Sequence, residues 1–239
     1  MRYGSLFTGI GGFDLGLDRA GMECAWQVEI DDYATKVLEK HWPEVKRYRD
    51  IRTIDWSQVE RPDLVCGGFP CQPVSLAGKG LAQQDERWLW PEFARCIGDL
   101  RPRFVLVENV PGLLGQGMGD VLGDLATLGY DAEWESIPAA SVGARHLRLR
   151  VFVVASSSVL ANVEGKSARY LEGHPPAVKR WFRLGKPASG DGWLWPDESG
   201  VGRRVYGVPR GVDRLRCLGN AVVPQVAEWI GRRIVEVAS

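Results

Sequence analysis

Tyr3-Gly4-Ser5-Leu6-Phe7-Thr8-Gly9-Ile10-Gly11-Gly12-Phe13 decides the reading of the chain, because a short apolar strand runs into a glycine-rich turn and then a helix. Glycines there let the backbone bend tightly and approach a ligand, and the helix that follows offers unpaired N–H groups. The strand is expected over Tyr3–Phe7 and the helix over Phe13–Ala20. About 20 residues further on, Glu29 closes the next expected strand, where an acid accepts hydrogen bonds from ribose hydroxyls. Asp50 follows in the next loop, in reach of an adenine amino group. A plain tight turn flanked by surface acids is the competing reading. The register of both acids with Gly9, Gly11 and Gly12 favours a nucleoside-containing cofactor.

The same alternation continues outward. Further strands are expected at Cys24–Glu29, Asp63–Cys66, Phe104–Glu108, Ala132–Ile137 and Val151–Ala155, with helices at Asp32–His41, Leu89–Leu100 and Met118–Leu128. Asp14 and Leu17 sit among apolar positions that repeat at helical spacing, as do Val37, Leu38 and His41. This pattern predicts an α/β fold built on a doubly wound, mostly parallel sheet, with ligands at the carboxyl ends of its strands. Near Ser156 the character changes. Residues 156–213 hold much Gly and Pro, several Trp and the basic pairs Lys179-Arg180 and Arg203-Arg204, without strong periodicity. Pro224–Val237 then reads as a closing amphipathic helix with Val226, Ile230 and Ile234 on one face. Residues 1–155 are expected to form one domain, 156–213 a small irregular region, and 214–239 a segment that returns to the first domain.

Composition is ordinary for a soluble domain, with 45% apolar and 25% charged residues in 239. No apolar run approaches the roughly 20 residues that a membrane-spanning helix needs. Met1-Arg2 leads straight into the apolar run, so no signal peptide is read and a cytoplasmic location is expected. The formal net charge of zero neither favours nor excludes nucleic acid, since only the distribution of charge decides that. Five cysteines, an odd and scattered set, suggest free thiols rather than a disulfide framework, and no second Cys or His pair sits at zinc-ligand spacing.

Three further stretches carry chemistry. Gly67-Gly68-Phe69-Pro70-Cys71-Gln72-Pro73 follows the strand Asp63–Cys66, and a cysteine in a shaped loop at a strand's carboxyl end is placed to meet a substrate. Cys24, Cys66, Cys96 and Cys217 fit the plainer role of small buried hydrophobes. Glu108-Asn109-Val110 ends an apolar strand at the same sheet edge, a position where a helix-capping network is plausible for Asn109 but less so for Glu108. In Arg148-Leu149-Arg150, alternate residues of a strand share a face, so both guanidiniums are expected in one cleft.

Together with Gly219-Asn220-Ala221-Val222, these stretches resemble the ordered motifs of the S-adenosylmethionine-dependent cytosine-C5 DNA methyltransferases, in that family's order, over residues 1–155 and about 215–239. The resemblance implies a Rossmann-like methyltransferase fold and methyl transfer from S-adenosyl-L-methionine to C5 of a flipped-out cytosine in double-stranded DNA. By similarity, Cys71 adds to cytosine C6, Glu108 holds the N3/N4 edge in protonated form, and Arg150 meets O2 with Arg148 in support. Phe7 would stack on adenine, Glu29 bind the ribose, and Asp50 with Ile51 read the adenine edge. Gly9, Gly11, Gly12, Pro70, Leu89 and Asn220 complete the expected cofactor pocket. Residues 156–213 would recognise the target, and the small Trp-rich stretches there suit a local core better than base stacking.

The family's usual Gln before the arginine pair is His146 here. The compact length resembles phage-borne members. A monomer is expected, with no metal and no membrane; a cognate restriction enzyme as partner stays open. Two alternatives share the motifs: a tRNA cytosine-C5 methyltransferase, whose Cys-Phe-Thr signature is absent from residues 156–213, and a non-catalytic DNA-binding relative, which need not keep Cys71, Glu108 and Arg150.

Overall fold

The computed structural model describes residues 1–70, 88–144, 146–157 and 217–238. Cys71, Arg145 and almost all of the expected recognition region fall outside the described residues.

In chain order the elements are β1 (Arg2–Leu6), α1 (Gly12–Arg19), β2 (Glu23–Val28), α2 (Asp32–His41) and β3 (Lys46–Tyr48). Two single 3-10 turns, Ile51–Thr53 and Trp56–Gln58, lead to β4 (Leu64–Gly67). Then come α3 (Trp90–Leu100), β5 (Phe104–Asn109), α4 (Leu113–Gln116), α5 (Met118–Thr127), β6 (Tyr130–Pro138), β7 (Leu149–Ser157) and, after the return, α6 (Pro224–Ala238). The strands make one sheet in the order β3-β2-β1-β4-β5-β7-β6. Its first five members run parallel, while β7 is antiparallel to both β5 and β6. The strand order reverses between β1 and β4, which opens a crevice at their carboxyl ends where an α/β sheet takes its ligands.

Strand alternation sorts the core into two layers. Leu6, Trp26, Val65, Val105 and Val107 pack on one face with Trp90, Phe93 and Ile97 of α3. Tyr3, Cys24, Leu64, Cys66 and Leu106 pack on the other with Leu17 of α1 and Ile230 and Ile234 of α6. The fully apolar run of β5 is what a central strand buried on both sides requires.

α6 packs on α1 through small residues. A Cβ on Gly12 would lie 2.4 Å from the Val222 carbonyl, and one on Gly16 would lie 2.4 Å from the Pro224 carbonyl. Only glycine lets the returning backbone come that close. Among the described residues the C-terminal helix thus lies directly on α1.

Two differences from the sequence reading have physical causes. The three-residue edge strand β3 has too few residues to show a period. The last two strands run longer than expected, Tyr130–Pro138 and Leu149–Ser157, because the antiparallel pairing between them is continuous from Tyr130↔Ser157 to Pro138↔Leu149.

Candidate active site

The turn after β1 is held in an uncommon backbone state. Phe7 has φ 50°, Gly9 φ 59° and Gly11 φ 85°. Left-handed backbone at a bulky side chain such as Phe7 costs on the order of 1–3 kcal/mol and persists where the surroundings impose it. Thr8 supplies part of that imposition: its N–H donates to the Val28 carbonyl at 3.1 Å, and its hydroxyl donates to Ser5 O at 3.0 Å. Phe7 lies partly buried against Phe93, with ring centroids 6.3 Å apart. Among the described residues, a Cβ on Gly9 would meet nothing within 4 Å, so the turn leaves space there.

Glu29, just beyond β2, closes the turn from the neighbouring strand. Its Oε2 accepts from Gly9 N–H at 2.6 Å and its Oε1 from Asp31 N–H at 2.7 Å. Burial pushes its carboxyl up, and those two backbone donors hold it partly back. Each carboxylate oxygen has a second lone pair, so two hydroxyl donors can still be accepted.

Asp50 sits one loop along, yet its carboxylate is spoken for within its own turn. It takes the Arg52 backbone N–H at 3.0 Å and a forked pair from the Arg52 guanidinium, which lowers its pKa. Ile51 is buried at the start of that turn, and Arg95 reaches from α3 to its carbonyl at 2.8 Å.

On the other side of the crevice, β4 ends in Gly67 and leads to Gly68-Phe69-Pro70. Phe69 is buried between Trp88, edge-on at 5.1 Å, and Trp90, tilted at 5.6 Å. Asn109 Nδ2 donates to the Phe69 carbonyl at 3.2 Å while its Oδ1 accepts from Val110 N–H at 2.9 Å. The loop is thus pinned up to Pro70, the residue before Cys71. Leu89, half-buried, caps the start of α3 beside Trp88.

Glu108 and Arg150 meet by strand geometry. Glu108 of β5 pairs in register with Phe152 of β7, so Arg150, two residues along, lies on the same face and diagonally adjacent. Arg150 Nε lies 3.1 Å from Glu108 Oε1, an ion pair not aligned as a hydrogen bond. A Cβ on Gly68 would stand 2.7 Å from Glu108 Oε2, so glycine is what admits the carboxyl beneath the loop. Burial lifts the Glu108 carboxyl from 4.5 to about 7, although Arg150 and then Arg148 pull the other way.

Arg148 arrives differently from expectation. It stands before β7 with φ 20°, so strand alternation does not extend to it. Its two terminal nitrogens instead donate to the Gly219 and Ala221 carbonyls, each at 2.6 Å, and clamp the returning segment over the site. Asn220, between those carbonyls, is exposed.

Three features of this region were not legible in the sequence. Asn109 was weighed only as a capping residue; its distance in sequence from Phe69 hid the loop contact. Gly68 was seen as loop-shaping but not as the space for Glu108. Asp14, read as one more position on a helical face, is fully buried, which a polar residue on an apolar stripe could have signalled. Among the described residues, no group of His, Cys, Asp and Glu is placed to hold a metal ion. No described helix is long and apolar enough to cross a membrane.

The strand order, with the crevice at its reversal, is that of a Rossmann-like methyltransferase fold. The chain belongs to the C-5 cytosine-specific DNA methylase family, whose model matches residues 1–179. It is 34% identical over 235 residues to the Type II methyltransferase M.HgiCII of Herpetosiphon aurantiacus, covering 95% of this chain and 51% of that protein. It is 28% identical to M.NgoMIV of Neisseria gonorrhoeae, covering 96% and 95%. M.NgoMIV aside, the chain spans about half the length or less of the curated relatives it matches most strongly. Among solved structures, a prophage-encoded protein from E. coli described as a DNA modification methyltransferase superposes with a TM-score of 0.57 at 26% identity, over 67% of this chain and 48% of that one. The Dnmt2 protein of Spodoptera frugiperda shares the fold at a TM-score of 0.57 and 23% identity, over 66% of this chain and 50% of that one.

Proposed function

We propose that the protein is a DNA (cytosine-5-)-methyltransferase acting on a flipped-out cytosine in double-stranded DNA, with Cys71 as nucleophile. The observation that carries this reading is the buried Glu108 carboxyl. It lies under the Gly68-Phe69-Pro70 loop that leads to Cys71, next to Arg150, with a pKa raised by burial to about 7. A carboxyl poised there is half protonated near neutral pH and can both donate to and accept from a heterocyclic edge.

The pocket fits a nucleoside cofactor. Among the described residues, Gly9 meets nothing, Glu29 keeps two acceptor positions, and Phe7 offers an apolar wall. Phe7, Glu29 and the turn Gly9–Gly12 would hold S-adenosylmethionine, with Ile51, Pro70 and Leu89 beside it. Asp50 would reach the adenine edge only by sharing its carboxylate with Arg52. When bound, this cofactor supplies an electrophilic methyl group.

The residues of the chain do the rest. The Cys71 thiolate adds to C6, which makes C5 nucleophilic. Glu108 donates its proton to N3 and so neutralises the charge that builds there. Arg150 binds O2, and in turning from Glu108 to the base it removes the largest influence that keeps the carboxyl ionised. Arg148 acts from behind by holding the returning segment. After C5 takes the methyl group, N3 returns its proton to Glu108, the C5 proton passes to solvent water, and the C6–S bond breaks with its electron pair returning to Cys71 Sγ, restoring aromaticity. Extruding the base from the stack costs a few kcal/mol.

Residues 156–213 are proposed as the target-recognition region. The Type II names of the relatives support a place beside a cognate restriction enzyme. A cytoplasmic monomer is proposed.

Incubation with labelled cofactor and mixed-sequence duplex DNA is expected to yield 5-methylcytosine, and Cys71→Ser to abolish it. Label found on adenine, or label transfer surviving in Cys71→Ser, overturns the proposal.

A further inference from the structure

Asp14 takes no part in the chemistry described above, yet it is the best-connected buried acid among the described residues. It projects from the first turn of α1 and is fully buried. Ser5 Oγ of β1 donates to its Oδ2 at 3.0 Å, and Gln27 Nε2 of β2 donates to its Oδ1 at 2.7 Å. Cys24 Sγ approaches Oδ1 at 3.6 Å. Two of these partners and Asp14 itself stand two residues from a proposed cofactor group: Ser5 is two before Phe7, Gln27 two before Glu29, and Asp14 two after Gly12. Gln27 passes the tie on, because its Oε1 accepts from Arg47 Nε at 3.0 Å. Arg47 also reaches the Leu38 and Trp42 carbonyls at the end of α2.

We propose that Asp14, in its carboxylate form, is a positioning residue for the cofactor: it holds the Phe7–Gly12 turn and Glu29 at the mutual spacing that a nucleoside spanning them requires. This rests on the cofactor assignment above. The carboxylate accepts from donors on two separate strands at once, and it fixes which way the Gln27 amide points. Once protonated, the group must itself find an acceptor, so the Ser5 hydroxyl has to turn round to accept or that tie is lost, and the charge that strengthened both ties is gone.

The titratable groups facing Asp14 are Tyr3 of β1, Cys24 of β2, Cys66 of β4 and Asp18 one turn along α1. Burial and the nearby acid keep the Tyr3, Cys24 and Cys66 side chains neutral. On α6, packed against α1, Glu228 is engaged by Arg232. No cation touches Asp14 directly among the described residues; Gln27 stands between it and Arg47. Burial therefore raises its carboxyl from 3.8 to about 6, against the pull of the Gln27 and Ser5 donors. Cofactor affinity is accordingly expected to weaken as pH falls through about 6.

The test is binding of S-adenosylhomocysteine by calorimetry from about pH 5 to 8, for the wild type and Asp14→Asn. Glu29 titrates too, so Asp14 accounts only for the pH dependence that the variant loses. The Asn variant is expected to bind about tenfold more weakly at neutral pH, with a flatter pH profile and kcat at saturating cofactor unchanged. Wild-type affinity and an unaltered profile in Asp14→Asn overturn the proposal. Should that variant not fold, Ser5→Ala removes one tie alone. Weaker binding at an unchanged melting temperature then supports the proposal, and unchanged binding overturns it. A wild type that fails to bind at all would refute the cofactor assignment itself, a separate outcome.

Discussion

Replacing Glu108 with Gln is expected to stabilise the protein at alkaline pH while removing its proposed activity. The carboxyl titrates near 7 when folded and near 4.5 when exposed. Between those values the folded chain binds the extra proton, so stability falls as pH rises through that window. At about 1.4 kcal/mol per tenfold in a proton equilibrium, the buried charge costs roughly 3 kcal/mol at about pH 8 and under about 1 kcal/mol at about pH 5. Gln is close in shape to the protonated acid and carries no such cost. It gives up the attraction to Arg150, but that is already contained in the value of about 7. Glu108→Gln should therefore exceed the wild type by about 1–3 kcal/mol at about pH 8, several degrees in Tm for a chain of this size, with the gap mostly closed at about pH 5. Urea melts at both pH values measure this, and single-turnover methyl transfer measures the loss of activity. A Gln variant less stable than wild type at alkaline pH, or a gap that does not widen with pH, refutes the account of a buried, destabilising charge.

Three further outcomes follow from the contacts. Gly12→Ala would drive a methyl group into the Val222 backbone at 2.4 Å, which cannot swing aside; a loss of about 1–3 kcal/mol and faster proteolysis of the returning segment are expected. Gly68→Ala would push the Glu108 carboxyl away from 2.7 Å; kcat should fall about a hundredfold, as for an angstrom-scale misplacement, while the urea midpoint shifts little. Arg148→Lys keeps the charge but not the fork that spans the Gly219 and Ala221 carbonyls; protease protection of residues 217–238 should drop nearly as far as in Arg148→Ala.

The parts of this fold that local chemistry determines were legible in the sequence. The turn at Gly9–Gly12 was, because a change from strand to helix period around glycines has few other readings. Glu108 was, because a lone acid at the end of the apolar run Phe104–Val107 has no structural reason to be there. Features set by the meeting of distant segments were not. The insertion of β7 between β5 and β6 depends on pairing, which residue types alone leave open. Arg148 and Arg150 were expected to converge through strand alternation. They do both act on Glu108, but Arg148 does so from outside the strand, because a left-handed backbone turns it toward the returning segment.

The packing of α6 against α1 also has a consequence in time. α1 carries the glycine turn, but the surface that Gly12 and Gly16 press against is made some two hundred residues later. Until then α1 has an uncovered seam and the turn above it lacks its backing. The seam between α1 and α6 is therefore among the last of the described contacts that the growing chain completes, after all seven strands of the sheet have been made.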